Sequence, residues 1–329
     1  MKKKHTKKGL IISNFLIGII ILVVSFIIIL FLLRLFPFGS SIAKETCHQS
    51  VVLRSTAKIG PIDANEVIPL KCQTSKICLT MSGEDCNELI NTRKNPVQKI
   101  RLNKDVQKAR EEIMKVFAES MITCHSMLGE GQLNFMPKQL TTKNYGLICS
   151  RIVFDQEVKN KIEDIGAGEF FAYLESQVTN DQSYLEYLYP GWKNSQNSIK
   201  LFEAFKQENK QFENVNFVDW KIINLNEENG HAIIAQIAPT GNWASWAAGI
   251  TTAIAVPAGV ALIATGIGAP VGAVLIGGAG TIGAISLVSG GAVLWYTSND
   301  KFDYSPPTIY PYNIKILQDL GIYSFEIAP

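Results

Sequence analysis

NWASWAAGITTAIAVPAGVALIATGIGAPVGAVLIGGAGTIGAISLVSGGAVLWYT, residues 242–297, is the stretch on which the reading of this chain turns. It lies inside a longer run, residues 229–299, that has no Asp, Glu, Lys or Arg in 71 positions. A charge in hydrocarbon costs about 2.5–3.5 kcal/mol. A soluble core draws its apolar residues from short segments interleaved with charge, so so long an uncharged block predicts apolar surroundings. Its 56 residues are too many for one bilayer crossing and enough for two. Trp243 and Trp246 stand at its start and Trp295 and Tyr296 at its end, with no aromatic between. Such residues favour a membrane–water interface, so the four are expected as interface anchors of a helical hairpin turning near 266–270. Small residues recur four apart (Gly268 and Gly272, Ala273 and Gly277, Ala279 and Gly283), the spacing that lets helices pack closely in lipid. The alternative is a hairpin buried in protein before insertion.

A second uncharged run, LIISNFLIGIIILVVSFIIILFLL (10–33), follows five lysines in the first eight residues. As one helix it would extend about 36 Å, which predicts a transmembrane anchor over 10–36 with a cytoplasmic basic tail, 1–9. Processing after Ala43 is the alternative. The rest of the chain is then extracytoplasmic. The net charge of +2 falls to −3 without those five lysines, so no basic field for nucleic acid exists.

Six cysteines, Cys47, Cys72, Cys78, Cys86, Cys124 and Cys149, all lie between the two uncharged runs. An even set so placed is a disulfide framework for an oxidising compartment. Their spacing is not that of a zinc ribbon, and His48 and His125 are weak metal-ligand candidates because each adjoins a cysteine that points elsewhere. No metal or cofactor is expected.

Residues 38–100 read as a Cys-rich region of loops and short strands. Within 101–241, the α+β extracytoplasmic domain, NKDVQKAREEIMKVFAESMITCHSML (103–128) is the clearest helix. Val106, Ile113, Phe117, Met121, Cys124 and Leu128 follow the 3.6-residue period, with Asn103 as start cap and Gly129 as end. Cys124 on the apolar stripe is expected to be buried. It is read as half of a disulfide, with Cys149 in the strand-like YGLICSRIVFD its best partner and a free buried thiol the alternative. Glu130, in Gly129-Glu130-Gly131, reads as an inward hydrogen-bonding group rather than a catalytic carboxylate. Residues 156–210 read as mainly helical, with Tyr184, Tyr187, Tyr189 and Trp192 as core or docking aromatics. NFVDWKIINL (216–225) and HAIIAQIAP (231–239) read as a hairpin. The C-terminal strands of 298–329 are expected to rejoin the same outer domain. The expected core is Ile113, Phe117, Met121, Leu128, Leu147, Phe154, Phe171, Phe202, Phe217 and Ile233.

The run MITCHSMLGEGQLNF, the strand CSRIVFD and the ending TIYPYNIKILQDLG together resemble a group of uncharacterised membrane-anchored extracytoplasmic proteins of small-genome archaea. The matching positions are Met121, Cys124, Gly129, Glu130, Gly131, Phe135, Cys149 and Pro311-Tyr312-Asn313. His125 departs from the tryptophan of that pattern. The resemblance implies an anchored outer domain and no activity.

No HExxH, GxSxG, Walker or CxxC pattern occurs. The fold expected is therefore an α+β extracytoplasmic domain with an N-terminal transmembrane helix and a Gly/Ala-rich transmembrane hairpin inserted before the C-terminal strands. The function expected is an interaction or structural role without catalysis. Its expected partners are the lipid bilayer and a second copy or an envelope protein, met through the hairpin or the outer domain. A pore-forming or membrane-remodelling protein and an extracytoplasmic enzyme of unknown type are the alternatives, the latter with His48, His125 or His231 for acid–base work or a free Cys124 thiol beside His125 as nucleophile.

Overall fold

The computed structural model describes residues 17–28, 38–56, 58–59, 62–63, 68–92, 95–133, 135, 145–189, 221–239 and 302–313, and short strands within 261–298. The chain divides into two units, residues 1–45 and 46–329.

In the first unit, helix α1 covers residues 17–28. Among the described residues no helix is long and apolar enough to cross a membrane. The expected transmembrane helix over 10–36 is corrected accordingly. The expected transmembrane helical hairpin over 242–297 is corrected too, because its described parts are extended. Leu275–Gly278 and Thr281–Ala284 pair antiparallel, with Gly277 opposite Ile282 and Gly283 opposite Ile276. Gly277 and Gly283 thus each face an isoleucine across a β-ladder rather than lining helices. Glycine costs about 1 kcal/mol per residue in a helix interior, and β-branched Thr, Ile and Val favour strands. Gly268, Gly272, Ala273, Ala279, Trp243, Trp246, Trp295 and Tyr296 lie outside the described residues.

The second unit is built on a mixed sheet. Its strands are β1 (Ser75–Thr80), β2 (Val97–Arg101), β3 (Tyr145–Phe154), β4 (His231–Pro239), the two-residue β5 (Thr297–Ser298) and β6 (Phe302–Pro311). Their order is β5-β6-β4-β3-β1-β2. β1 runs parallel to β2 and β3, and β4 runs antiparallel to β3 and β6. β3 is buried along nearly its whole length, which explains its continuous apolar run. A bulge opposite Ile233 and Ile234 leaves Cys149 as the extra residue of β3. That changes which residues face the main core, from Leu147 and Cys149 to Ile152 and Phe154.

The helices are α2 (Phe38–Thr56), α3 (Val106–Met127), α4 (Gln156–Lys161), α5 (Ala167–Ser176) and α6 (Tyr184–Leu188). α3 buries Ile113, Met114, Phe117, Met121 and Cys124 in one cluster with Phe154, Ile233, Tyr304 and Ile309. At its N-terminus Asp105, not Asn103, is the cap, and its carboxylate accepts from Lys108 N–H at 3.0 Å. Asn103 instead accepts from Asp105 N–H. Of the expected core, Ile113, Phe117, Met121, Leu128, Leu147, Phe154, Phe171 and Ile233 are buried, and Phe202 and Phe217 lie outside the described residues. A smaller cluster of Cys78, Cys86, Leu89 and Val153 underlies the β1–β2 connection.

Two local readings change. α2 replaces loop at the start of the 38–100 region. The apparent hairpin does not pair with itself: Lys221–Ile223 joins Ile165–Gly166, whereas both edges of β4 are taken by β3 and β6. Ladders as long as β3 and β6 leave the short 221–223 strand no edge of β4 to occupy.

Candidate functional site

The polar residues concentrate where α3 ends. Leu128 closes the helix with its N–H on Cys124 O, and Gly129, Glu130 and Gly131 follow with φ of 70°, 56° and 73°. A glycine takes that conformation freely, while Glu130 is strained by roughly 1–2 kcal/mol. A Cβ at Gly129 would lie 2.4 Å from Leu133 Cδ1. The three left-handed residues turn the chain tightly, and Glu130 Oε1 accepts from the Tyr187 hydroxyl at 2.6 Å.

Behind Tyr187 lies His125, buried. Its ring meets Tyr187 edge-on at 5.2 Å and stacks on Tyr304 at 5.6 Å. Nδ1 is 3.0 Å from Tyr304 Oη, and the ring also bonds to the Tyr187 backbone. Donation to that backbone leaves Nδ1 to accept the Tyr304 hydroxyl hydrogen, assigning a neutral tautomer. Burial pushes His125 down to about 4, opposed by the Tyr187 bond. Burial, then the Glu130 contact, pushes the Tyr187 phenol up, and burial holds Tyr304 well above its ordinary value. The interior of the cluster is therefore neutral, and Glu130 lies at its exposed rim. It joins α3, α6 and β6.

Cys124, next to His125, is bonded to Cys149. The thiol that a Cys124 nucleophile would need is thus occupied. The other bridges are Cys47–Cys72 and Cys78–Cys86, and no cysteine is free. Cys47–Cys72 ties α2 to the strand-entry segment, and Cys78–Cys86 closes the loop after β1. Met127, Leu128, Leu147, Ile148 and Cys149 line a cleft of about 20 Å³ with Cys47, Cys72, Gln73 and Thr74. That volume holds about one water molecule.

Two further polar positions serve the fold. Asp155 caps α4 and accepts from Thr80 Oγ1, Met81 N–H, Ser82 N–H and Ser82 Oγ, binding the β1 end to the β3 end. Its burial would raise its carboxyl, but the donated hydrogen bonds win and hold it below the ordinary value. His231, fully buried between Phe117 and Phe154, accepts from Asn224 N–H at 3.3 Å and leaves Nδ1 without a partner. Burial pushes it down to about 3.

His48 Nδ1 faces the Met127 carbonyl at 3.3 Å. Among the described residues no group of three or more His, Cys, Asp or Glu is placed to hold a metal ion. Gly278-Ala279-Gly280-Thr281-Ile282-Gly283 has the glycine spacing of a dinucleotide turn, but it spans two antiparallel strands. The strand-to-helix turn that would point amide groups at a pyrophosphate is not what these strands form. Sequence reasoning reached Cys124, Cys149, Glu130 and His125 and missed Tyr304, 179 residues from His125. No local signal marks a pairing of that span.

Compared with protein-family models, with curated proteins and with solved structures, the chain matches none.

Proposed function

We propose that residues 46–329 form a disulfide-stapled domain of an oxidising, extracytoplasmic compartment, with an interaction or structural role. The observation that supports this is the use of all six cysteines in three bridges, five of the six buried. Glutathione and thioredoxin keep cytosolic thiols reduced, so such a set persists where they do not act. The candidate site supports a non-catalytic reading, because its histidine and Tyr304 are inside the core. The test is to trap native cells with an alkylating agent and weigh the purified protein. Unmodified cysteines, released only after reduction, are expected; labelling of all six without a reductant would sink the reading.

For α1 we propose a lipid surface as partner. Ten of its twelve residues, from Ile17 to Ile28, are large apolar groups exposed to solvent, more than scattered surface residues need. The expected result is co-flotation of the full chain with phosphatidylcholine vesicles, lost in Ile20→Glu/Val24→Glu. Flotation unchanged by that pair removes lipid as the partner of α1.

A further inference from the structure

Of the three bridges, Cys47–Cys72 alone has a cysteine that is not buried. Cys72 is part-exposed, while the other five cysteines are at most 8% exposed. The bridge also borders the small cleft, which Cys149 lines from its buried side. Exchange requires a thiolate to reach a disulfide sulfur, so access decides which bridge reacts while the fold is intact.

We propose that Cys47–Cys72 is a thiol-exchange site, the bridge that external thiolates open and reclose in the folded protein. This rests on the oxidising-compartment reading above. An incoming thiolate attacks Cys72 Sγ, and the S–S bond breaks with its electron pair leaving on Cys47, which takes up a proton from water. A second thiolate then attacks the mixed disulfide, freeing the Cys72 thiolate and giving the external disulfide. Two thiols are oxidised and one cystine is reduced to two cysteines. Reclosure is the reverse, with an external disulfide as oxidant.

Opening the bridge removes the one covalent tie of α2 to the segment before β1. The contacts that remain include Ser50 Oγ accepting from Lys71 N–H at 3.0 Å, Arg54 donating to the Phe135 carbonyl at 2.8 Å and to the Ile68 carbonyl, His48 against the Met127 carbonyl, and Val51 in the core, all non-covalent. The bridge is thus a clasp on α2, set apart from the core staple Cys124–Cys149.

The experiment uses the oxidised full-length chain. It is titrated with reduced glutathione and, separately, with a CxxC protein dithiol, each point trapped with an alkylating agent and mapped by peptide mass. Cys47 and Cys72 are expected to label together, at a thiol concentration at least tenfold below that needed for Cys124 and Cys149. Amide exchange is expected to quicken in residues 46–56 and not in α3. Opening by glutathione identifies a small-thiol partner, and opening by the protein dithiol alone identifies a protein one. Simultaneous opening of all three bridges, or another bridge opening first, overturns the proposal. Cysteines that label before any thiol is added overturn the compartment reading instead. Cys47→Ser/Cys72→Ser is expected to lose the early step with the Cys124 onset unmoved.

Discussion

Cys47–Cys72 and Cys124–Cys149 close loops of the same sequence separation, 25 residues. Chain entropy alone therefore assigns each the same stabilisation, about 3.5 kcal/mol. Their surroundings separate them. Cys124 is on the buried stripe of α3 and Cys149 occupies the bulge of β3, between two of the most deeply packed elements. Cys47–Cys72 joins a helix to the segment before β1, and its Cys72 is part-exposed. Loop length sets what a bridge removes from the unfolded chain; packing sets what its loss leaves behind in the folded one.

The largest break in that equality should come from deletion. Cys124→Ala/Cys149→Ala is expected to lower stability by about 3–5 kcal/mol, since it adds a core cavity to the lost loop closure. Cys47→Ala/Cys72→Ala should cost at least about 1 kcal/mol less, because the site can relax into solvent. Urea midpoints of the two variants at matched slopes decide this, and equal shifts would return the comparison to loop length alone.

Acid should weaken the interior next. His125 and His231 are held neutral in the fold, down to about 4 and about 3, whereas an unfolded histidine titrates near 6.5. The unfolded chain binds the extra protons, so stability is full above pH ~6.5 and falls as pH drops toward the folded values. Each histidine contributes up to about 1.4 kcal/mol per pH unit in that window. Thermal midpoints between pH 7 and pH 4.5 should fall steeply, and a flat profile would contradict the buried neutral rings.

Tyr304→Phe removes the donor to His125 Nδ1 inside the core, and its expected cost is about 1–3 kcal/mol for an acceptor left buried. Tyr187→Phe frees Glu130 at the surface, where water replaces the hydroxyl, and about 0.5–1.5 kcal/mol is expected. Chemical denaturation of both variants orders them. A larger loss for Tyr187→Phe would place the network's weight at its rim.

What could be read in advance depended on range. The 3.6-residue stripe of 103–128, the alternation-free run of β3 and the pairing of Cys124 with Cys149 are short-range or nearly so, and α3 lies where its periodicity puts it. Eight of the ten expected core residues are described, and all eight are buried. α2 escaped notice because Thr46, Val51, Val52 and Thr56 have mediocre helix propensity and its register is secured by contacts with Lys71, Met127 and Phe135. The uncharged block misled because absence of charge reports the polarity of surroundings and not the backbone period. Gly277 and Gly283, four residues from other small residues, also face a partner strand.

By itself the chain's order of residues determined the long amphipathic helix, the buried central strand and an oxidised cysteine set, because periodicity, apolar run length and even cysteine count act within one segment or by simple number. Only the tertiary structure decided that Tyr304 completes the His125 contact, that β4 abandons 221–223 for β3 and β6, and that two bridges of equal span differ in exposure. Those outcomes depend on which segments meet, and competition for sheet edges and core volume is settled by the whole fold at once.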